Sequence, residues 1–192
     1  MKVIDQTERR VLNGENVPAE DKVVSLFEPH TDIIRKGGRE VSYGHKVNLS
    51  TGKSGLVLDA VIEAGNPPDS KRCIPMLERH IKIYRCAPKS MACDGGYAEQ
   101  ANLSSAKALG VTNAVFHKKK GLEIEAMAAS RWLYNKLKCF RAGIEAGISY
   151  LKRCFGLSRC NWKGLEHFKS YVWSGILAHN LVVFGRLRPR PV

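Results

Sequence analysis

The sequence predicts an α/β fold, and three observations carry that prediction. Tyr43–Ser50 alternates apolar and polar residues with period two, and Leu56–Ile62 follows as a more apolar run across a Thr51–Gly55 turn, the pattern of a β-hairpin. Two further short apolar segments, Ser90–Cys93 running into Asp94 and Asn113–His117, each follow a stretch with helical spacing. From about Ser130 onward the pattern is helical alone, through Arg141–Phe155 and again from about Trp162 to Phe184. The order β, β, α, β, α, β and then helices implies an α/β layer with a mixed sheet.

Each element has a local justification. Residues 1–41 read as a lead-in or linker, broken at Asn13–Pro18, Glu28–Thr31 and Lys36–Arg39, with Glu20–Phe27 as a short helix or strand. After the hairpin, Gly65–Ser70 opens a helix for which Asp69 or Ser70 is the expected N-cap, and Ile74, Leu77, Ile81 and Ile83 supply its apolar positions through to Tyr84. Gly95-Gly96 breaks the strand that ends at Asp94, and Gly110 stops the helix from about Glu99 to Leu109. The apolar stretch 171–184 is expected to be core, as are Trp132, Trp162 and Trp173 in preference to base-stacking platforms. Residues 186–192 form a basic tail expected to be disordered. The domain is therefore expected to span 42–185.

Composition narrows the function. The chain carries 31 Lys and Arg against 18 Asp and Glu, and the excess is uneven: residues 1–115 have a net charge of +2 and residues 116–192 a net charge of +11. Such asymmetry points to a polyanion, most simply DNA, bound by the C-terminal half. No apolar run reaches the ~20 residues of a membrane span, and Met1–Gln6 opens no secretion signal, so the expected location is the cytoplasm, in association with the nucleoid. The six cysteines show no CxxC pair and no zinc-finger spacing with histidine; they read as reduced thiols, several of them in core. Gly52-Lys53-Ser54 has the end of a phosphate-binding loop, but Val47 stands where its first glycine is needed, and a hairpin surrounds it. The histidines at 45, 80, 117, 167 and 179 have no mutual spacing that marks a site.

Two acids and their neighbours are left as candidates. Asp94 ends a buried strand, where open α/β sheets place ligand groups; Asp-Gly-Gly is also an ordinary turn. Glu145 is the only acid between Glu125 and Glu166, inside the most basic part of the chain. On a helix Arg141, Glu145 and Lys152 fall within about 40° of one another, beside an apolar stripe of Ile144, Ile148, Leu151 and Phe155. Common i,i+4 charge pairing accounts for such a face, and so does a carboxylate held for a hard divalent cation such as Mg²⁺, with Mn²⁺ as substitute. Gly143 and Gly147 each cost about 1 kcal/mol inside a helix, consistent with a close approach to this backbone. Lys118, Lys119 and Lys120 follow a strand on the same edge and read either as phosphate contacts or as a solvated turn; Arg153 is a further candidate for DNA contact.

These residues carry a resemblance. The spacing Arg141-(3)-Glu145-(6)-Lys152 resembles the Y-(2)-R-(3)-E-(6)-K signature of bacterial insertion-sequence transposases of the DDE class. The Asp94–Tyr97 turn is similar to their second catalytic aspartate, and Val61–Ser70 to the segment that precedes it, with the order kept over most of residues 40–185. The resemblance implies a ribonuclease-H-like mixed sheet with flanking helices and three carboxylates binding two Mg²⁺ ions. It also implies cutting at transposon ends, then transfer of a 3′-OH to target DNA. Asp94 and Glu145 would be metal ligands, and Arg141 and Lys152 would position DNA or Glu145.

Two positions depart from the signature. Lys138 stands where its tyrosine belongs, and nothing in residues 1–42 resembles the buried first strand with its aspartate; Asp59 lies on a later strand. The expectation is a C-terminal portion lacking its first strand, inactive alone, with an upstream transposase fragment or a second copy as possible partner. The alternative is a non-catalytic nucleic-acid-binding or dimerising remnant of a transposable element.

Overall fold

A computed structural model describes residues 2–18, 21–36, 40–118 and 121–187. The elements run α1 (Lys2–Thr7, continued by a π-helical turn Glu8–Leu12), β1 (Asp32–Lys36), β2 (Glu40–Gly44), β3 (Val47–Thr51), β4 (Val57–Ile62) and α2 (Cys73–Tyr84). They continue with β5 (Ser90–Cys93), α3 (Gln100–Ala108), β6 (Asn113–Phe116), α4 (Ile124–Met127), α5 (Arg131–Cys154) and α6 (Leu165–Leu187). The class is mixed α/β, as the alternation of periods predicts.

The sheet is not continuous. Among the described residues the strands form three separate pairs: β1–β2 and β3–β4 antiparallel, β5–β6 parallel. Side chains, rather than a backbone ladder, link β3 to the end of β5: the Tyr97 hydroxyl donates to Asn48 Oδ1 at 3.0 Å. The alternation read across Tyr43–Ser50 belongs to two strands, not one. The chain breaks at His45 and Lys46 because both side chains are drawn off the ladder, His45 to His30 and Asp32, Lys46 to Asp69 and the Pro67 carbonyl. Residues 21–27 form neither helix nor strand, while the lead-in contributes α1 and β1.

The helix after Pro67-Pro68 starts without the expected cap. Asp69–Arg72 form a 3-10 turn whose N-cap is Pro68, no side chain caps it, and the Asp69 carboxylate pairs with Lys46 instead. Pro75 in the first turn of α2 has no N–H to leave unsatisfied, which suits a helix that enters through a tighter turn. Ser130 caps α5, its Oγ accepting the Leu133 N–H at 3.2 Å.

Two cores sit at the two ends of α5. One gathers Leu77, Leu103, Ala106, Val111, Val115, Phe116 and Met127 around β5–β6, and takes in Tyr134 from the first turn of α5. The other joins Val57 and Ala60 of β4 to Val172 and Ile176 of α6, and takes in Leu151 from the last turns of α5. A 24-residue helix is about 36 Å long. Its middle, residues 141–145, therefore crosses from one core to the other, fully buried in neither.

Several expectations of burial are corrected. Trp132, Trp162 and Trp173 are exposed, and Lys136 lies over the Trp132 ring at 4.6 Å. The stretch 171–184 is half core: α6 buries Val172, Ile176 and His179 but exposes Leu177 and Leu181. All six cysteines are free; Cys73 is buried, Cys86, Cys139 and Cys154 are exposed. The expected disorder of 188–192 lies outside the described residues, and Arg186 and Leu187 end α6 in helix.

Candidate metal and DNA site

Asp94 and Glu145, 51 positions apart in sequence, meet through one side chain. The Arg141 guanidinium reaches Asp94 Oδ2 through Nη2 and Glu145 Oε1 through Nη1, each at 3.0 Å. Arg141 is only 15% exposed, whereas Asp94 and Glu145 are 52% and 65% exposed. The cation is held in place, and the acids on either side of it remain open to solvent.

Local structure fixes Asp94. Asp94 is the cap of the turn Gly95–Tyr97, its Oδ1 accepting the Gly95 N–H at 2.6 Å. The two glycines after it are required by neighbours. A Cβ on Gly95 would stand 2.7 Å from Lys118 Cγ, and one on Gly96 would stand 2.4 Å from Asp69 Oδ2. The Lys118 stem therefore lies across the turn that presents Asp94, and its ammonium end is exposed. Lys118 thus stays among the candidate DNA contacts, while Lys119 and Lys120 lie outside the described residues. Lys138, Lys152 and Arg153 make no ion pair among the described residues; Lys138 is half-buried and the other two are exposed. Lys152 shares the helical face of Glu145 without touching it.

Titration behaviour around the turn follows from burial. The Tyr97 phenol is pushed well above its usual range, first by burial and then by the negative field of Asp69. The Cys93 thiol, next to Asp94, is raised first by its interaction with Cys73 and then by burial, and Cys73 is lowered by the same interaction.

Sequence reasoning missed two polar networks. On β4, Asp59 is 4% exposed and binds the Arg79 guanidinium through both oxygens, while Glu63, 7% exposed, accepts from Asn48 and Arg72. An acid inside the apolar run Val57–Ile62 was the available signal, since a carboxylate there needs a partner. In the second network, His30 Nδ1 lies 2.8 Å from His45 Nε2, and their other ring nitrogens face Glu28 and Asp32. Glu28 also accepts the Gly164 N–H and Asp32 the Gly65 N–H, so the histidine pair fastens residues 28–45 to the start of α6 and the exit of β4.

Gly143 and Gly147 have nothing within 4 Å of a Cβ built on them. They line a groove of about 300 Å³ with Leu49, Val57, Ile144, Ile148 and His179. The close approach read from the sequence is therefore not made within the described residues.

These features define a class: a mixed α/β domain in which one arginine gathers an exposed pair of acids, Asp94 from the near-neutral part of the chain and Glu145 from the basic part. The chain belongs to the transposase DDE domain family, whose model matches residues 21–181. Membership gives it a transposition-related role, with DNA as partner and a divalent metal as the family's usual cofactor. Comparison with curated proteins and with solved structures gives no match to the chain. No helix among the described residues is long and apolar enough to cross a membrane.

Proposed function

We propose that this chain is a portion of a DDE transposase in which Asp94 and Glu145 hold a divalent cation, Mg²⁺ or Mn²⁺ in its place, against DNA. One observation carries the reading: two carboxylates far apart in sequence converge on a single cationic centre, each 3.0 Å from the same guanidinium. Two oxygen donors with open solvent beside them suit a hard cation that keeps several waters or phosphate oxygens in its shell. When bound, such an ion supplies Lewis acidity at a phosphodiester. Arg141, Lys118, Lys152 and Arg153 are the groups proposed to bind and orient the DNA backbone, with Lys119 and Lys120 beside Lys118.

A ribonuclease-H-like arrangement is supported by the strand pairs. β3 and β5 each have an edge that no described strand pairs with, and Tyr97 and Asn48 span the space between them. A further strand between the two, from an upstream fragment or a second copy, would join them into one mixed sheet. Among the described residues no group of three or more His, Cys, Asp or Glu is placed to hold a metal. Burial together with a two-oxygen bond to Arg79 argues against Asp59 as the missing acid.

The proposal thus separates binding from cutting. Residues 1–192 are expected to bind DNA without nicking it, because one ion held by two acids leaves the reacting oxygens unaligned, and a ~1 Å error costs about 100-fold in rate. Incubating the chain with supercoiled plasmid and Mg²⁺, beside a salt titration of duplex binding, tests both halves. Binding that weakens steeply with salt and no nicking is the expected result. Robust nicking would place a third acid in this chain, and absence of DNA binding at about 0.1 M salt would remove the reading. Binding without metal uptake would favour the non-catalytic DNA-binding or dimerising remnant.

A further inference from the structure

We infer that Arg141 is a built-in counter-ion that occupies the cation position between Asp94 and Glu145, so that a divalent metal enters only by displacing it. The inference rests on the assignment of those two acids as metal ligands and goes beyond it, because it makes the same contacts a barrier to metal. The geometry is specific. One guanidinium uses two different nitrogens on two different carboxylates, and its bonds to both are 3.0 Å long. It engages Asp94 Oδ2 and Glu145 Oε1, and Asp94 Oδ1 is committed to the Gly95 N–H. A cation bridging these same two oxygens has to take the place of the guanidinium that now joins them, whose positive charge opposes its approach.

Displacement is feasible because the acids are exposed. Ion pairs of this kind contribute little each, so Arg141 lowers metal affinity by about tenfold and does not block it. A group must then receive the released guanidinium, and a phosphate diester is the anion whose geometry suits its paired N–H donors. DNA would therefore act twice at this site, as substrate and as the ligand that draws Arg141 away from the acids. Arg141 is a positioning residue in this scheme, and metal and DNA binding are thermodynamically coupled through it.

The test is a Mn²⁺ titration of the metal-free protein, with free Mn²⁺ counted by electron paramagnetic resonance and folding checked by circular dichroism. Wild type, Arg141→Ala and Arg141→Gln are compared; the glutamine keeps most of the length and hydrogen bonding without the charge. Lys138→Ala removes an equal charge one turn earlier on α5 that contacts neither acid among the described residues. The expected result is roughly tenfold tighter Mn²⁺ binding in both Arg141 variants and less than a twofold change in Lys138→Ala. Equal or weaker binding in the Arg141 variants would overturn the inference, since Arg141 would then be assembling the site. An equal gain in Lys138→Ala would also overturn it, leaving only the general field of a basic helix. Adding Glu145→Gln to the Arg141→Gln background separates the two ideas. Tight binding that survives it, or no binding by any variant, refutes the metal assignment itself.

Discussion

The acids on and just after β4 and the acids that Arg141 of α5 brings together are all paired with arginine, for different ends. Asp59 and Glu63 are almost wholly buried, and each has an arginine of its own, Arg79 and Arg72. Asp94 and Glu145 are more than half exposed and share a single arginine. A buried carboxylate with a full set of partners cannot release one without leaving a charge in a poorly solvated place, so it fixes structure. An exposed carboxylate with half a partner keeps most of its solvation and can exchange that partner for a ligand. Pairing alone does not mark a functional acid; the ratio of acids to counter-ions, together with exposure, does.

The sharpest way to break this comparison is to remove the arginines one at a time. Arg79→Ala leaves Asp59 buried with only the Ala60 N–H and is expected to cost about 3 kcal/mol, read from urea denaturation. Arg141→Ala is expected to cost no more than about 1 kcal/mol in the same measurement. Equal losses would erase the distinction.

The sequence carried much of this, unevenly. Asp94 at the end of its strand and Glu145 beside Arg141 on a helix were legible because both rest on local signals: a Gly-Gly break after an apolar strand, and i,i+4 spacing. That Arg141 would reach across to Asp94 was not legible, since no local pattern sets the distance between β5 and α5. The split of Tyr43–Ser50 into two strands was hidden for the same reason, as the partners that pull His45 and Lys46 out of line are His30, Asp32, Pro67 and Asp69. The exposed tryptophans, Trp132 on α5, Trp162 before α6 and Trp173 on α6, were misjudged because apolar character alone does not reveal which face of an element meets a core.

A smaller effect joins the two regions. Tyr97, three residues after Asp94, donates to Asn48, which in turn donates to Glu63. Its ionisation is raised in the folded state above the ordinary value of 10.0. The unfolded chain then loses this proton first as pH rises, so the contribution is complete below pH 10.0 and declines above it. Melting temperature should therefore drop at alkaline pH, and Tyr97→Phe should lessen the drop while costing about 1 kcal/mol at neutral pH from the lost hydrogen bond. An unaltered alkaline profile in that variant would cut the proposed link between the regions.

Smaller still is the expected effect of Lys118→Ala. It should lower the slope of log K for duplex DNA against log salt by about 1 and leave stability within about 0.5 kcal/mol. An unchanged slope would assign the Lys118 stem to covering Gly95 and nothing more.

The central claim is that Asp94 and Glu145 are ligands and that Asp59 and Glu63 are struts. Melting temperature with and without saturating Mn²⁺ tests it most directly, in wild type, Glu145→Gln and Asp94→Asn. A bound ion stabilises the fold in proportion to its affinity, so wild type should gain and both variants should lose that gain while melting close to wild type without metal. The same Mn²⁺-induced rise in all three proteins would contradict the account.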